Sequence, residues 1–168
     1  YQNALLIISA RDKNSLEIVK ESCKNPKNVW IIPLDLEKDS TFNEITQRAL
    51  SVFGRIDILV NNGGVSQRSL ATDTHISVDK KIMGVNYMGT IALTKAVLPH
   101  FIENKEGHFV VTTSMVGLIG TPLRSSYAAS KHALHGFFDS LRAEVHDYNI
   151  AVTLICPGFV STNISMNA

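Results

Sequence analysis

Short unbroken apolar runs alternate along the chain with longer segments whose apolar residues recur at the helical period. Unbroken runs of this length are typical of strands that are buried on both faces of a parallel sheet. The runs at residues 4–9 and 56–60 are of this type, and strands are also predicted over residues 29–34, 108–114 and 150–156. Their regular alternation with helices indicates a doubly wound α/β fold, in which helices cover both faces of a parallel sheet.

Capping signals and helix breakers set the ends of the predicted helices. Asn14 with Glu17 has the spacing of a capping box, which would start the first helix. Thr41 with Glu44 would start the second in the same way, and Gly54 would end it. A long helical region covers roughly residues 78–101, and its helical pattern is interrupted by Gly84, Gly89 and Pro99.

In sheets of this class, ligands bind beyond the carboxyl ends of the strands. Polar and small residues follow the predicted strands at those ends. They are Arg11, Asp35, Asn61-Asn62-Gly63-Gly64, Ser114 and Pro157-Gly158. We therefore expect the functional site to lie at this edge of the sheet.

Length and composition restrict the classes of protein to which the chain can belong. Its 168 residues with 45% hydrophobic content can bury one sizeable core but not two, so we expect a single domain over residues 1–168. Lys and Arg total 16 against 15 Asp and Glu, with no basic block. This balance argues against nucleic acid as the main partner.

Neither the two cysteines nor the six histidines have the spacing of a metal site, and we expect no metal. Cys23 and Cys156 are typical of small buried residues in a reducing compartment. No apolar run approaches the ~20 residues that span a bilayer, and no signal-peptide pattern is visible. These features predict a soluble cytoplasmic protein without a membrane segment.

Residues 125–134 contain the most informative pair of side chains. Good helix formers and an apolar series that begins at Leu134 predict that this segment starts a helix. Tyr127 and Lys131 then lie one turn apart on the same face, where the ammonium favours the phenolate form of the tyrosine. A tyrosine placed in this way can exchange a proton near neutral pH. The alternative is a solvated surface pair, which is the common case for this spacing.

The order and spacing of several motifs resemble the short-chain dehydrogenase/reductases, which are nicotinamide-dependent oxidoreductases with a Rossmann-type fold. The resemblance covers nearly the whole chain. It rests on Asn61-Asn62-Gly63-Gly64, Asn86, Ser114, the Tyr127-x-x-x-Lys131 pair and Pro157-Gly158-Phe159-Val160-Ser161-Thr162. Within the family, the segments 63–66 and 162–165 are most similar to the dehydrogenase/reductase member 7 group.

Reduction of a carbonyl needs a hydride at carbon and a proton at oxygen, so an acid and a hydrogen-bond donor must meet at one point. The resemblance implies that Tyr127 is this acid, and the base in alcohol oxidation, while Lys131 holds the nicotinamide ribose. It also implies that Ser114 donates to the substrate oxygen and that Asn86 anchors a water for proton relay. Two simpler alternatives are a satisfied strand-end hydroxyl for Ser114 and a packing residue bonded to backbone for Asn86.

The resemblance also assigns residues to a nicotinamide cofactor. Asp35 matches the residue that bonds the adenine amine, with Leu36 beside the ring, and a simple strand-end cap is the alternative for Asp35. The small residues Gly63 and Gly64 allow close backbone approach to the adenosine side. The full set is Arg11, Asp35, Leu36, Asn62, Gly63, Gly64, Tyr127, Lys131, Pro157, Gly158, Val160 and Thr162.

Arg11 distinguishes between the two nicotinamide cofactors. NAD enzymes of this fold place an acid at the end of the second strand, whereas a basic residue suits the 2′-phosphate of NADP. Ala10 occupies the acid position and Arg11 follows it, so we expect NADP(H) to be favoured over NAD(H). Asp12 is the residue that argues for the opposite preference.

The chain departs from the family pattern because the glycine-rich phosphate loop Thr-Gly-x-x-x-Gly-x-Gly is absent. The resemblance makes residues 4–9 the family's second strand. We therefore expect a fold that lacks its first strand and its last strands, as part of a longer protein. A sheet without its middle strand would leave backbone groups unpaired.

The predicted function is hydride transfer between NADP(H) and a moderately apolar small molecule with a carbonyl or alcohol group, by the full protein rather than by this segment alone. One alternative is a catalytically quiet nucleotide-binding regulatory protein, and another is an epimerase or dehydratase that uses Tyr127. Family members pair through two long helices, so the resemblance implies a homodimer or homotetramer. Phe137 and Phe138 would serve either that interface or the core.

Overall fold

The computed structural model describes residues 4–160, so Thr162 lies outside the described residues. Within them, the strands form two parallel sheets. One sheet pairs β1 (Leu6–Ile8) with β2 (Val29–Ile31). In the other sheet, β4 (Gly107–Thr112) lies between β3 (Ile58–Asn61) and β5 (Ile150–Ile155).

Helices connect successive strands and flank the sheets. They are α1 (Lys13–Ser22), α2 (Phe42–Phe53), α3 (Ile76–Met83), α4 (Thr90–Asn104) and α5 (Ser125–Glu144). Parallel sheets flanked by helices in this order confirm the predicted doubly wound α/β class. No helix within residues 4–160 is long and apolar enough to cross a membrane.

The predicted interruption of the long helical region takes a specific form. A π-helical turn, Gly84–Gly89, joins α3 to α4, so the two glycines mark its ends. Pro99 is accommodated inside α4. A π-helical turn widens the backbone locally and re-aims the side chains it carries, here including Asn86.

The main core lies between the three-stranded sheet and the helices α4 and α5. Three phenylalanines from these elements are fully buried: Phe101, Phe109 and Phe138. The rings of Phe101 and Phe109 lie 4.8 Å apart. Burying side chains of this size stabilises a fold by about 2–3 kcal/mol each, so this cluster holds α5 against β4. Phe138 therefore belongs to the core, while Phe137 packs edge-on against Tyr87.

Burial on both faces was predicted for the strands at residues 4–9 and 56–60, and for both this is wrong, since Leu6 of β1 is 43% exposed. Ile58 and Val60 are 55% and 58% exposed, whereas Leu59 packs against the core. Successive side chains of a strand point to opposite faces, so one face of β3 is left uncovered by the described residues. The two sheets share no strand pairing in this part of the chain, in agreement with the expected absence of a middle strand.

Both predicted capping boxes are also wrong. α1 begins one residue before Asn14, because Asp12 is the N-cap and its Oδ1 accepts from the Asn14 amide at 2.9 Å. The Thr41 hydroxyl donates to the Lys38 carbonyl at 2.7 Å and does not cap α2. Gly54 ends α2 as predicted, in a left-handed conformation with φ of 78° that glycine adopts without strain.

Gly107→Ala tests the packing at the start of β4. A Cβ atom at this position would overlap the ring of Phe101, which is fully buried. We expect the free energy of unfolding to fall by about 1–3 kcal/mol, measured by urea denaturation. In the control Gly136→Ala, the added methyl in α5 meets nothing within 4 Å and stability should rise by up to about 1 kcal/mol. Equal stability of Gly107→Ala and wild type would contradict the packing described for β4.

Candidate active site

Tyr127 and Lys131 lie in the first two turns of α5, beside the carboxyl end of β4. Both side chains are buried, with exposures of 8% and 4%. The Lys131 Nζ atom lies 5.8 Å from the centre of the Tyr127 ring. A solvated surface pair, the alternative considered for this spacing, is therefore wrong.

The surroundings of Lys131 are unusual for a lysine. Its Nζ donates to the Thr112 carbonyl oxygen at 2.9 Å, at the end of β4. Within residues 4–160 no carboxylate forms an ion pair with it. Burial lowers the pKa of Lys131 to about 8, because the charged form loses its hydration. A buried cation in this state is stabilised by any anion or polar ligand that reaches it.

A second cation lies near the same tyrosine. The Arg124 guanidinium carbon is 5.6 Å from the centre of the Tyr127 ring, within the range of a cation–π contact. Its Nη1 atom donates to the Ser66 hydroxyl at 2.8 Å, which fixes the guanidinium. Two cationic side chains, Arg124 and Lys131, thus lie beside the Tyr127 ring.

Asn86, in the π-helical turn, is fully buried and bonded on both sides of its amide. Its Oδ1 accepts from the Val65 amide at 2.8 Å, and its Nδ2 donates to the Val65 carbonyl at 2.9 Å. Nδ2 also donates to the Ser130 hydroxyl at 3.1 Å. The Asn86 side chain therefore bonds to backbone, which is the simpler alternative considered for it. The proposed water relay through Asn86 stays a prediction.

Ser130 was missed by the sequence analysis, although it connects Asn86 to the tyrosine. Its hydroxyl donates to the Tyr127 carbonyl at 2.8 Å and accepts from Asn86. Ser130 is completely buried. Its only signal in the sequence is its place three residues after Tyr127, a spacing at which a serine hydroxyl can bond back to its own helix.

The two glycines after β3 have close neighbours. A Cβ atom on Gly64 would lie 3.2 Å from the Asn86 Oδ1 and 3.9 Å from the Lys131 Nζ. A Cβ atom on Gly63 would lie 2.8 Å from the Leu36 Cδ1, the flexible end of a side chain. Gly64 therefore allows the segment after β3 to approach Asn86 and Lys131. Gly63 leaves room for the Leu36 side chain at the same edge.

Ser114 follows β4 and begins a 3₁₀ turn, Met115–Gly117. Its Oγ accepts from the Val116 amide at 3.4 Å, a weak bond that leaves the hydroxyl hydrogen free to donate elsewhere. The turn packs on α5, since a Cβ atom on Gly117 would lie 3.1 Å from the Lys131 Cβ. Ser114 is half-buried at the edge of this contact.

The segment after β5 joins the same edge. The Pro157 carbonyl accepts from the Met115 amide at 3.1 Å, which ties it to the turn after Ser114. Gly158 and Val160 follow it and are exposed. The structure therefore brings Gly64, Asn86, Tyr127 and Lys131 together, with Ser114 and Pro157 on the adjoining loops.

Asn62 directly follows β3, whereas the predicted residues Arg11 and Asp35 follow the strands of the smaller sheet. Asp35 is half-buried and its Oδ1 accepts from the Glu37 amide at 3.1 Å, so it forms the strand-end cap considered as its alternative. Arg11 is exposed after β1. The neighbouring Asp12 carboxylate accepts from the Ser15 hydroxyl at 2.6 Å as well as from the Asn14 amide, and these bonds lower its pKa, the Ser15 bond most. Asp12 is therefore engaged in capping α1.

Comparison with known proteins finds matches along the whole chain. A family model described as short chain dehydrogenase matches residues 1–168. The chain is 48% identical to the human "Dehydrogenase/reductase SDR family member 7", over 97% of this chain and 50% of that protein. It is 47% identical to the "Dehydrogenase/reductase SDR family protein 7-like" of Anopheles gambiae, over 97% of this chain and 53% of that protein. The chain thus spans about half the length of these curated relatives.

Solved structures share the same fold. A short chain dehydrogenase/reductase from Burkholderia phymatum in complex with NAD is 25% identical, with a TM-score of 0.90 over 96% of this chain and 59% of that one. The structure described as "ElxO with NADP Bound" is 29% identical, with a TM-score of 0.87 over 92% of this chain and 63% of that one. Similar folds thus carry either nicotinamide cofactor.

Lys131→Met tests the burial of the ammonium. Burial lowers the folded-state pKa from 10.5 to about 8, so the unfolded chain binds one more proton between these pH values. The stability of wild type relative to Lys131→Met should therefore rise as pH increases from about 8 to about 10.5, by up to about 3 kcal/mol. Urea unfolding at both ends of this range measures the change. Lys95→Met, on an exposed lysine of α4, controls for the loss of a positive charge, and a pH-independent difference at Lys131 would show that its ammonium is solvated.

Proposed function

The chain belongs to the short-chain dehydrogenase family, and on this basis we propose that the full-length protein transfers a hydride between NADP(H) and a small molecule with a carbonyl or alcohol group. Tyr127 is the proton donor in reduction and the proton acceptor in oxidation. One observation carries this proposal: a buried lysine without a carboxylate partner in the described chain lies beside a buried tyrosine, at the ligand-binding edge of the sheet.

The proposed chemistry divides between three side chains. Lys131, held by the Thr112 carbonyl, supports negative charge on the phenol oxygen after Tyr127 gives its proton to the substrate oxygen. Ser114 donates its free hydroxyl hydrogen to the same substrate oxygen and stabilises the charge that develops there. The nicotinamide, when bound, supplies or accepts the hydride.

The described residues fit the nicotinamide half of such a cofactor. The Lys131 ammonium donates one hydrogen bond within the described residues, to the Thr112 carbonyl, and has donor capacity left for ribose hydroxyls. Gly63 and Gly64 leave the backbone after β3 without side chains at this edge. No glycine-rich phosphate loop occurs in the chain, so we propose that the pyrophosphate is held by another part of the longer protein.

Preference for NADP(H) over NAD(H) rests on the residues after β1. Arg11 is exposed there and carries a guanidinium suited to a phosphate. Asp12, the residue that argued for NAD, accepts from Asn14 and Ser15 as the cap of α1. Its carboxylate is therefore engaged at the helix cap and does not accept from a ribose hydroxyl. Arg11 then sets the preference for NADP(H).

Tyr127→Phe tests the proposed proton transfer. NADPH oxidation by the full-length protein, followed over a panel of ketones and aldehydes, should fall by about 100-fold or more in this variant, because the general acid is removed. Tyr148→Phe, in the 3₁₀ turn His146–Tyr148 that follows α5, is the matched control and should keep wild-type turnover. Retained turnover in Tyr127→Phe would refute the mechanism. Cofactor binding without turnover of any substrate would instead support the regulatory alternative.

Arg11→Ala tests the cofactor preference. Loss of the charge-assisted bonds to the 2′-phosphate should weaken NADPH binding by about 10–100-fold and leave NADH binding within about 2-fold, as measured by titration calorimetry. Arg48→Ala, an exposed arginine on α2, is the control for the loss of a surface charge. Tighter binding of NADH than of NADPH by wild type would show that the assignment of Ala10 to the acid position is wrong.

A further inference from the structure

The helix that carries Tyr127 has no cap from its own N-cap residue. Arg124 occupies that position, and its side chain bonds to no backbone amide of the first turn. The first amides of a helix have no acceptor within the helix and need one from elsewhere. In α5 these amides belong to residues 125–127, directly at the proposed proton donor.

Gln67 supplies the missing acceptor from a distant part of the chain. It is buried to 2% exposure in the polar segment after β3. Its Oε1 accepts from the Ser126 amide at 3.0 Å. Its Nε2 donates to the Thr74 hydroxyl at 2.9 Å and to the Ser125 hydroxyl at 3.3 Å. With both ends of the amide bonded, the Gln67 side chain has one orientation, with its oxygen toward the helix.

Neighbours of Gln67 hold the residues just before and inside the same turn. The Ser69 amide donates to the Leu123 carbonyl at 3.1 Å, and Leu123 has a φ of 66°. A left-handed leucine costs energy and persists only where surrounding contacts impose it. Ser126 also donates through its hydroxyl to the Asp79 carboxylate. Residues 67–79 thus form a brace around the start of α5.

We propose that Gln67 is a positioning residue for Tyr127 and acts through the Ser126 amide. This inference rests on the proposed function, in which the Tyr127 phenol must meet the substrate oxygen and Ser114 at one point. Helix ends fray when their amides lack acceptors, and Tyr127 follows the capped residue directly. Displacement of a reacting group by about 1 Å can lower the rate by about 100-fold. The Gln67 cap therefore keeps the phenol in its reactive position.

Two variants whose side chains match glutamine in length distinguish the loss of the hydrogen-bond acceptor from a change in packing. Gln67→Met keeps the volume and removes the acceptor, while Gln67→Glu keeps an acceptor oxygen for the Ser126 amide. In the full-length protein, Gln67→Met should lower kcat by about 10-fold or more with KM values for substrate and cofactor within about 2-fold, since only the reacting geometry changes. Gln67→Glu should keep kcat within about 3-fold of wild type. Gln47→Met, on an exposed glutamine of α2, should match wild type.

Two measurements on the same proteins do not depend on turnover. Hydrogen exchange of the Ser126 amide should be faster in Gln67→Met and near wild type in Gln67→Glu. The rate at which tetranitromethane nitrates Tyr127, followed by mass spectrometry, should differ between Gln67→Met and wild type, because the phenol is displaced. A protected Ser126 amide in Gln67→Met would overturn the cap. Faster exchange with unchanged nitration and kcat would overturn the positioning role, as would a general loss of amide protection across the chain.

Failure of the proposed function would look different. A wild type that turns over no carbonyl or alcohol substrate would refute hydride transfer, while exchange at Ser126 and nitration of Tyr127 would still decide whether Gln67 holds the phenol. A wild type that turns over substrate, with Gln67→Met fully active, would refute the positioning role alone.

Discussion

The burial of a lysine ammonium beside a tyrosine ring is the interaction on which the rest of the site depends. Lys131 is removed from water without a carboxylate partner in the described chain, and its ammonium donates to the Thr112 carbonyl. Such a group is costly in a folded protein unless a ligand or an ionised neighbour compensates it. The surrounding structure holds the ammonium in place, because strand pairing fixes Thr112 opposite Ile155 and the core of phenylalanines fixes α5 on β4.

A second set of contacts joins three segments that are distant in the sequence. The Asn86 amide bonds to Val65 and to Ser130, and Ser130 bonds to the Tyr127 carbonyl. These bonds are buried, where an unsatisfied amide would be expensive, so each partner constrains the others. The π-helical turn places Asn86 in this position, and Gly64 leaves room for its oxygen. The start of α5 is therefore fixed through its interior face by Asn86 and at its N-terminus by Gln67.

The two sheets differ in how completely they are enclosed. The three-stranded sheet buries one face against α4 and α5, while Ile58 and Val60 of β3 are exposed on the other. The smaller sheet carries the residues assigned to the adenosine side of a nicotinamide cofactor, and Leu36 reaches from it to Gly63 and Gly89. The residues proposed for proton transfer belong to the three-stranded sheet and its helices, within a chain that spans about half of its curated relatives.

The sequence by itself determined the features that depend on neighbouring residues. Alternating apolar runs and helical periods predicted the order of strands and helices, Gly54 ended α2, and motif order identified the family. Local capping was less predictable, because Asp12 competed with Asn14 for the start of α1. Only the tertiary structure decided that Lys131 is buried, that Asn86 meets Ser130, and that Gln67 caps α5 across 59 residues of sequence. The physical reason is that burial and long-range hydrogen bonds depend on how the whole chain packs, whereas periodicity and spacing describe only residues within a few turns of one another.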